Sequence, residues 1–226
     1  MHPSAIVEEA VLKGLDVIGV SDHNASENVG FVMNAARGKP LTVIPGMEVT
    51  TREEVHVLVL LEDLPTLSLL QQYVYDRLEG LNNEEVFGLQ PIVTEDGDVE
   101  GFNQRLLIGA TTIPLEELVE KVHGLGGLAI PAHIDRPGFG VIGQLGFVPP
   151  GVPFDALEVS WRLGIRGGRE KYPELSGYPF ITSSDAQFID DIAKACTPMM
   201  LSEPTLPEIR RALKGEGWRF VMEDAC

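Results

Sequence analysis

VIGVSDHN, residues 17–24, decides the predicted fold, because an apolar β-branched run leads directly into side chains that can bind a metal. Three further segments repeat this arrangement after apolar runs of their own: PGMEV (45–49), PAHID (131–135) and SSDA (183–186). Ligand-type side chains delivered from the ends of separate strands are how α/β barrels assemble catalytic sites. Of the five histidines in the chain, three fall in or just after these strands: His23, His56 and His133. The pattern predicts a metal site.

The apolar runs alternate with segments of helical periodicity. Strands are predicted at 17–20, 41–44, 55–61, 128–130, 156–160 and 180–182, and helices at 4–13, 27–37, 66–80, from 114 onwards and at 207–215. This alternation favours a parallel α/β arrangement. Residues 81–112 are less regular, and Asp96-Gly97 within them is typical of a hairpin turn. We therefore predict a single domain over residues 1–226, with an inserted excursion at 81–112 that contains a hairpin.

Composition limits the classes of function. The chain has 226 residues, 44% of them hydrophobic, and a net charge of −17. Such a chain repels phosphate backbones, so we expect no non-specific nucleic-acid binding. A small phosphorylated substrate is still compatible with this charge where metal cations supply local positive charge.

The cysteines and the hydropathy pattern bear on location. Cys196 and Cys226 do not suggest a disulfide framework, which favours a reducing, cytoplasmic environment. The sequence shows no signal-peptide pattern and no apolar run near the roughly 18 residues of a membrane helix. We therefore expect neither export nor membrane association. The sequence leaves the oligomeric state open.

Four longer segments resemble successive motifs of the polymerase and histidinol phosphatase (PHP) family, and they cover nearly the whole chain in the family's order. They are GLDVIGVSDHNASEN, VIPGMEVTTREEVHVLVL, AIPAHID and ITSSDA. The resemblance implies a distorted (β/α)7 barrel with up to three metal ions at the carboxyl ends of its strands. It also implies hydrolysis of phosphoesters by a metal-activated hydroxide.

The resemblance assigns roles to individual residues. The metal-ligand positions are His23, Glu48, His56, His133 and Asp185. Imidazole with carboxylate suits zinc, manganese or iron. Asp22 and Asp135 are candidate catalytic-site residues that orient a ligand histidine. Arg136 is a candidate for binding a substrate phosphate, as is Arg166 within the cluster of Arg162, Arg166 and Arg169. Taken alone, each of these residues also has a structural reading, such as a core histidine, a helix cap or a surface arginine.

Two departures from the family pattern matter. Family members open with a strand carrying His-x-His, whereas this sequence begins Met1-His2-Pro3, and Gln187 stands where the family has histidine. The predicted fold is therefore a PHP-type barrel lacking its first strand. Either the sequence starts at an internal methionine or the chain is a degenerate member. The best-preserved site combines Glu48, His56 and His133, so we expect one metal bound well and two bound poorly.

These inferences define the expected function. We expect a PHP-type enzyme that hydrolyses phosphoesters of a small metabolite or nucleotide with divalent metal ions. The alternative is a truncated or degenerate barrel that binds a phosphorylated ligand or partner without efficient catalysis. A metal-dependent amidohydrolase is less favoured, because no lysine is placed as a carbamylated bridge between metals.

Overall fold

The structure, a computed structural model, describes residues 1–223 and alternates strands with helices along the chain. The strands are β1 Val17–Val20, β2 Thr42–Thr50, β3 His56–Leu60, β4 Pro91–Val93, β5 Val99–Phe102, β6 Leu128–Pro131, β7 Leu157–Val159, β8 Phe180–Thr182, β9 Met199–Met200 and β10 Phe220–Val221. The α-helices are α1 Pro3–Leu12, α2 Val29–Ala35, α3 Leu64–Tyr75, α4 Glu84–Phe87, α5 Leu115–Gly124, α6 Val141–Leu145, α7 Gly164–Lys171 and α8 Leu206–Lys214. Two short 3-10 helices cover Pro173–Leu175 and Ile189–Asp191.

Six of the strands lie side by side in one open row. A four-stranded sheet has the order β1-β2-β3-β6, and β7 pairs with β8. Backbone hydrogen bonds from Asp155 to Ala129 (3.1 Å) and from Ile134 to Glu158 (2.8 Å) place β7 beside β6. The chain is therefore α/β, as predicted, but the strands that the structure describes do not close into a barrel. The seven-stranded barrel stays a prediction.

Strand directions differ from the parallel arrangement expected from the sequence. Within the row, the ladders β1–β2 and β7–β8 are parallel, whereas β3 is antiparallel to both β2 and β6. The reason is the short connection of β2 to β3 through residues 51–55, which has no helix to carry the chain back. The prediction of an all-parallel sheet was wrong at this point.

Strand β2 is longer than the predicted 41–44 and contains the PGMEV segment. Residues 46–50 pair with β3, from Gly46 opposite Leu60 to Thr50 opposite His56. A Cβ atom at Gly46 would lie 2.6 Å from the carbonyl oxygen of Val59, so glycine permits this close approach of the two backbones. Glu48 consequently lies inside a strand, not at its end as the sequence suggested.

Side chains of β2 and β3 alternate between two faces of the sheet. Met47, Val49, Val57 and Val59 face the largest apolar core, which also takes in buried residues of α3 and α5. The opposite face carries Glu48 and, from β3, His56, because side chains two residues apart share a face. A second core on that side packs α8 against β6. The alternation therefore turns the ligand-type side chains of both strands to one side.

The excursion at 81–112 contains the predicted hairpin. β4 and β5 pair antiparallel on either side of the Asp96-Gly97 turn, where Gly97 has a φ of 94°. The hairpin contacts the first two helices, since Ser4 donates a hydrogen bond to Glu95 and Val93 donates one to the side chain of Asn28. The single-domain organisation over 1–226 stays a prediction.

Three of the described α-helices, α4, α6 and α7, have no counterpart among the predicted helices. The glycines of α7 hid its helical periodicity, and Gly168 lets this helix pack on β7, since a Cβ there would lie 2.8 Å from Val159. Within residues 1–223 we find no helix that combines the length and apolarity needed to cross a bilayer. The prediction about the cysteine pair involves Cys226, which lies outside the described residues.

Candidate metal centre

The carboxylate of Glu48 is surrounded by three imidazoles. Its Oε2 atom lies 3.0 Å from Nδ1 of His23, and its Oε1 atom lies 3.4 Å from Nδ1 of His56 and 3.6 Å from Nε2 of His133. The ring centroids of His23 and His56 are 5.0 Å apart, and those of His56 and His133 are 5.4 Å apart. We call these four residues the Glu48 centre.

Backbone pairing explains why residues so distant in sequence meet. The chain after β1 continues beside β2, with hydrogen bonds from Asn24 to Glu48 (2.8 Å) and from Glu48 to Asp22 (3.0 Å), which sets His23 against Glu48. His56 begins β3, and its backbone carbonyl accepts a hydrogen bond from Ala132, directly before His133. Each histidine is thus fixed by a strand or by the residues that follow one.

Three residues at the ends of separate strands adopt left-handed backbone conformations. The φ angles are 49° at Asn24 after β1, 33° at His133 after β6 and 46° at Asp185 after β8. Such conformations cost roughly 1–3 kcal/mol each in non-glycine residues and concentrate at functional sites. Two of these three residues, His133 and Asp185, are predicted metal ligands, so the unusual conformation coincides with predicted site positions.

Asn24 is a structural residue that sequence reasoning missed. Its fully buried side chain donates to the carbonyl oxygens of Leu107 and Gly109, both at 2.8 Å, and accepts from the backbone of Thr50 at 3.0 Å. It therefore ties β1, β2 and the excursion together next to His23. The sequence signal that could have identified Asn24 is its position directly after Asp22-His23. Asparagine tolerates the left-handed conformation that the chain adopts there.

The imidazoles set the ionisation of Glu48. Burial alone would raise its pKa, but the neighbouring His133 and His56, together with the charge of His23, hold the pKa well below its usual range. The pKa of Asp22 moves the other way, because burial raises it more than the Asn28 side chain, 3.2 Å away, lowers it. Glu48 therefore presents an anionic carboxylate to the histidines.

Glu158 is a second acidic group near the centre that sequence reasoning did not select. Only 3% of it is exposed, and its carboxylate accepts a hydrogen bond of 2.8 Å from Ser183. Burial raises its pKa to about 7, with opposing effects from the hydrogen bond of Ser183 and the charge of His133. The signal in the sequence was a glutamate in the middle of the apolar run ALEVS.

The donors fit a divalent metal ion. His23, Glu48 and His56 each offer a ligand atom within 4.8 Å of the others. The buried Nδ1 atoms of His56 and His133 have no hydrogen-bond partner among the described residues. An unpaired buried nitrogen atom is costly. The Nδ1 atom of His56 faces the Glu48 carboxylate, so coordination of an ion there would satisfy it, whereas His133 faces the carboxylate with Nε2. The group of ligand atoms that lie within 4.8 Å of one another includes His23. The sequence instead indicated Glu48, His56 and His133 as the best-preserved site.

The remaining predicted site residues lie in varied surroundings. Asp185 pairs with Arg136 at 2.7 Å. Asp135 accepts hydrogen bonds from the backbone and hydroxyl of Ser160, at 2.7 and 2.5 Å. Arg166 is exposed on α7. Phe139, which the sequence did not single out, stacks on His56 with centroids 4.4 Å apart.

An open cleft of about 510 Å³ has three wall residues, at 135–137, that follow His133 closely along the chain. Its lining residues, which we call the Trp161 cleft, are Asp135, Arg136, Pro137, Ser160, Trp161, Arg162 and Leu163. The arrangement can bind a metal ion beside a cleft that carries two guanidinium groups.

Comparison of the sequence gives one related protein and no matching family model. The chain is 24% identical over 245 residues to the uncharacterized protein YqxK of Bacillus subtilis. The alignment covers 96% of this chain and 56% of that protein. The chain thus spans little more than half the length of this relative.

Comparison of the structure gives the class of fold. The lesion-specific endonuclease Q of Pyrococcus furiosus superposes with a TM-score of 0.67 at 19% identity, over 98% of this chain and 53% of the endonuclease. A two-domain protein of Bacteroides vulgatus containing a predicted PHP-like metal-dependent phosphoesterase superposes with a TM-score of 0.53 at 16% identity, over 97% and 59%. The chain has the fold of these proteins, which confirms the resemblance to the PHP family that the sequence motifs indicated.

One comparison corrects the expected partners. Endonuclease Q in complex with a 27-mer duplex that carries an abasic lesion at the active site matches 96% of this chain with a TM-score of 0.64 at 18% identity. This finding contradicts the expected partners, a small phosphorylated substrate and no non-specific nucleic-acid binding, the second of which was inferred from net charge. Total charge averages over the surface, whereas recognition depends on the groups beside the site. The neighbours do not favour the non-catalytic alternative either.

Proposed function

We propose that the chain hydrolyses phosphodiester bonds in nucleic acid with the help of divalent metal ions held at the Glu48 centre. The observation that carries this proposal is the contact of one buried carboxylate with three imidazoles at 3.0 to 3.6 Å. The fold shared with an endonuclease and with PHP-like phosphoesterases supports it. A DNA strand at a lesion is the substrate class that these neighbours suggest.

In this proposal, the four residues of the Glu48 centre hold the metal. The two oxygens of Glu48 face different histidines, Oε2 toward His23 and Oε1 toward His56 and His133, so these four residues would hold the metal. We propose zinc, manganese or iron, because mixed imidazole and carboxylate ligands suit these ions. A bound ion of this kind lowers the pKa of water and neutralises charge on the phosphoryl group.

The neighbouring residues bind and orient the substrate in this proposal. Asp185 is a further ligand, and its pairing with Arg136 couples the metal centre to the Trp161 cleft. Arg136 and, farther out, Arg166 contact phosphate oxygens. Asp22 orients the strand end that carries His23, and Asp135 fixes Ser160 at the cleft wall.

Incision of labelled duplexes tests the function. The purified chain is incubated with a duplex carrying an abasic-site analogue and with the undamaged duplex, in manganese, zinc or EDTA. We expect a shortened strand from the lesion duplex in the presence of metal and none in EDTA. Absence of incision with both metals, or incision that persists in EDTA, would overturn the proposal.

Matched variants link incision to the site. Glu48→Gln removes the anionic charge at nearly constant size, and we expect it to abolish incision. Glu62→Gln makes the same change at an exposed position and should leave the incision rate unchanged. A chromogenic phosphodiester, bis(p-nitrophenyl) phosphate, separates hydrolytic ability from nucleic-acid recognition, since its cleavage requires only the metal centre.

A further inference from the structure

An exposed tryptophan lies in the wall of the Trp161 cleft, which also includes Asp135 and Arg136, shortly after His133 in the chain. We propose that this cleft binds an unstacked nucleobase on the indole of Trp161, with Arg162 and Arg136 contacting the phosphates on either side. The proposal rests on the proposed function and names how the chain recognises its substrate. It identifies a nucleobase outside the helical stack, in a single strand or flipped from a duplex, as the group that is bound.

The cleft wall is joined rigidly to the metal centre. Asp135 lies two residues after His133 and accepts hydrogen bonds from both the backbone and the hydroxyl of Ser160, at 2.7 and 2.5 Å. Trp161 follows Ser160 directly and comes just after β7. The same carboxylate thus links the strand end that carries His133 to the strand end that carries Trp161. A base on the indole would therefore place its neighbouring phosphates near the centre.

Trp161 itself has the properties of a stacking platform. Trp161 is 42% exposed, although tryptophan usually buries most of its large apolar surface. The guanidinium of Arg162 lies 5.2 Å from the ring centroid. Aromatic side chains with an adjacent arginine are the common means of binding unstacked bases without sequence preference.

The negative charge of the chain favours binding through a stacked base over binding through the phosphate backbone of the nucleic acid. With a net charge of −17, the chain as a whole repels polyanions. Stacking on an indole is largely uncharged and therefore works in an acidic protein. The cleft offers only two guanidinium groups, Arg162 and Arg136, and the second already pairs with Asp185 at 2.7 Å. We therefore expect a shallow salt dependence, with a slope of about −1.4 in log K against log salt for two phosphate contacts on a single strand.

Intrinsic fluorescence tests the stacking directly. The chain contains two tryptophans, Trp161 and Trp218, and each precedes an arginine. Trp218 is 92% exposed and lies between α8 and β10, so it is a matched control. Trp218→Phe leaves Trp161 as the fluorophore, and Trp161→Phe leaves Trp218. In EDTA, a single-stranded dT oligonucleotide should quench the tryptophan fluorescence of Trp218→Phe and leave that of Trp161→Phe unchanged. Equal quenching in both variants, or none in Trp218→Phe, overturns the proposal.

Affinity gives a second measurement. By fluorescence anisotropy of a labelled oligonucleotide in EDTA, we expect Trp161→Ala to weaken binding by about 10-fold or more, in the range of one lost base stack. Trp161→Phe should retain most of the affinity because it keeps an aromatic face, and Trp218→Ala should bind like the wild type. Wild-type affinity in Trp161→Ala would refute the proposal, and thermal unfolding of each variant checks that it is folded.

The two proposals fail separately. Binding is measured without metal, so Glu48→Gln should bind the oligonucleotide with normal affinity and show normal fluorescence quenching. The same variant should lose incision. Normal quenching by a wild-type chain that never incises DNA would refute the proposed function alone. Incision with normal affinity in Trp161→Ala would refute the stacking site alone.

Discussion

Glu48 is the residue on which the proposed site depends. It lies on the side of the sheet opposite Met47 and Val49, and its two oxygens contact different histidines. A buried carboxylate without partners would be protonated or excluded, whereas here the imidazoles favour its anionic form. In turn, an ionised carboxylate at this place keeps the imidazole nitrogens oriented for a cation.

Replacing one histidine of the centre tests its role as a ligand. We expect His56→Ala to weaken manganese or zinc binding by more than the roughly 10- to 100-fold that loss of an outer partner costs. The matched control is His123→Ala, because His123 pairs with Asp155 at 2.8 Å and is not part of the Glu48 centre. Isothermal titration calorimetry measures both affinities. Equal metal affinity in the two variants would contradict this role of His56.

Glu158 should make the metal-free chain less stable as the pH rises. Burial raises its pKa from 4.5 to about 7, so the folded state holds this proton more tightly than the unfolded state. The resulting stabilisation is fully present below pH 4.5 and is lost as the pH rises through about 7. At about 1.4 kcal/mol per pKa unit, the loss is on the order of 3 kcal/mol.

Glu158→Gln tests this linkage, because the amide can still accept from Ser183 and does not ionise. We expect the variant to be more stable than the wild type at pH 8, with a smaller loss of unfolding free energy between pH 5 and pH 8. Urea unfolding in EDTA measures both chains, and Glu62→Gln is the exposed control. A parallel pH dependence in wild type and Glu158→Gln would show that the residue ionises normally.

Strand β2 is the element that assembles the site. Its first half pairs in parallel with β1, and its second half pairs antiparallel with β3. Partners on both sides explain why it continues through Pro45-Gly46, where the sequence predicted an end. Its two neighbours bring His23 and His56 to either side of Glu48.

Gly46→Ala should destabilise the chain by roughly 1–3 kcal/mol, the usual cost of forcing extra volume into a packed interior. The added Cβ would lie 2.6 Å from the backbone oxygen of Val59, which cannot move without separating β2 from β3. Gly101→Ala, in strand β5, is the control because nothing lies within 4 Å of its Cβ position. Chemical denaturation gives both values. Similar midpoints for the two variants would mean that the strands tolerate the wider spacing.

The elements differ in how well the sequence predicts them. β1 and β8 have the predicted bounds, because each is a short apolar run that ends in polar residues. β2 was predicted too short, because local residue preferences cannot report which strands will pair on either side. Helix α7 was missed, because its three glycines disfavour a helix locally while Gly168 allows close packing on β7.

At the scale of the whole molecule, metal binding should be linked to folding stability. The ligands come from three separate parts of the sheet, so the unfolded chain has no comparable site. An ion at 100 times its dissociation constant would add about 2.7 kcal/mol. We expect saturating manganese or zinc to raise the melting temperature of the wild type and to leave that of Glu48→Gln nearly unchanged. An equal rise in both chains would place the binding elsewhere.

Metal stoichiometry is a property of the assembled centre. Among the described residues, the donors found within ligand distance of one another are grouped around one carboxylate, that of Glu48. We therefore expect about one tightly held ion per chain, with further ions bound weakly. Metal analysis after gel filtration measures the number. A value near three ions per chain would contradict this prediction.

The sequence by itself determined which residues carry the candidate chemistry. Apolar runs that end in histidine or carboxylate are local patterns, so His23, His133 and the strands before them could be identified without coordinates. Tertiary structure decided that Glu48 lies inside a strand, that Glu158 is buried near His133 and that Asp135 binds Ser160, next to Trp161. It also revealed the likeness to a DNA-binding enzyme that total charge had argued against. The physical reason is that strand pairing, desolvation and local electrostatic potential depend on neighbours that are distant along the chain.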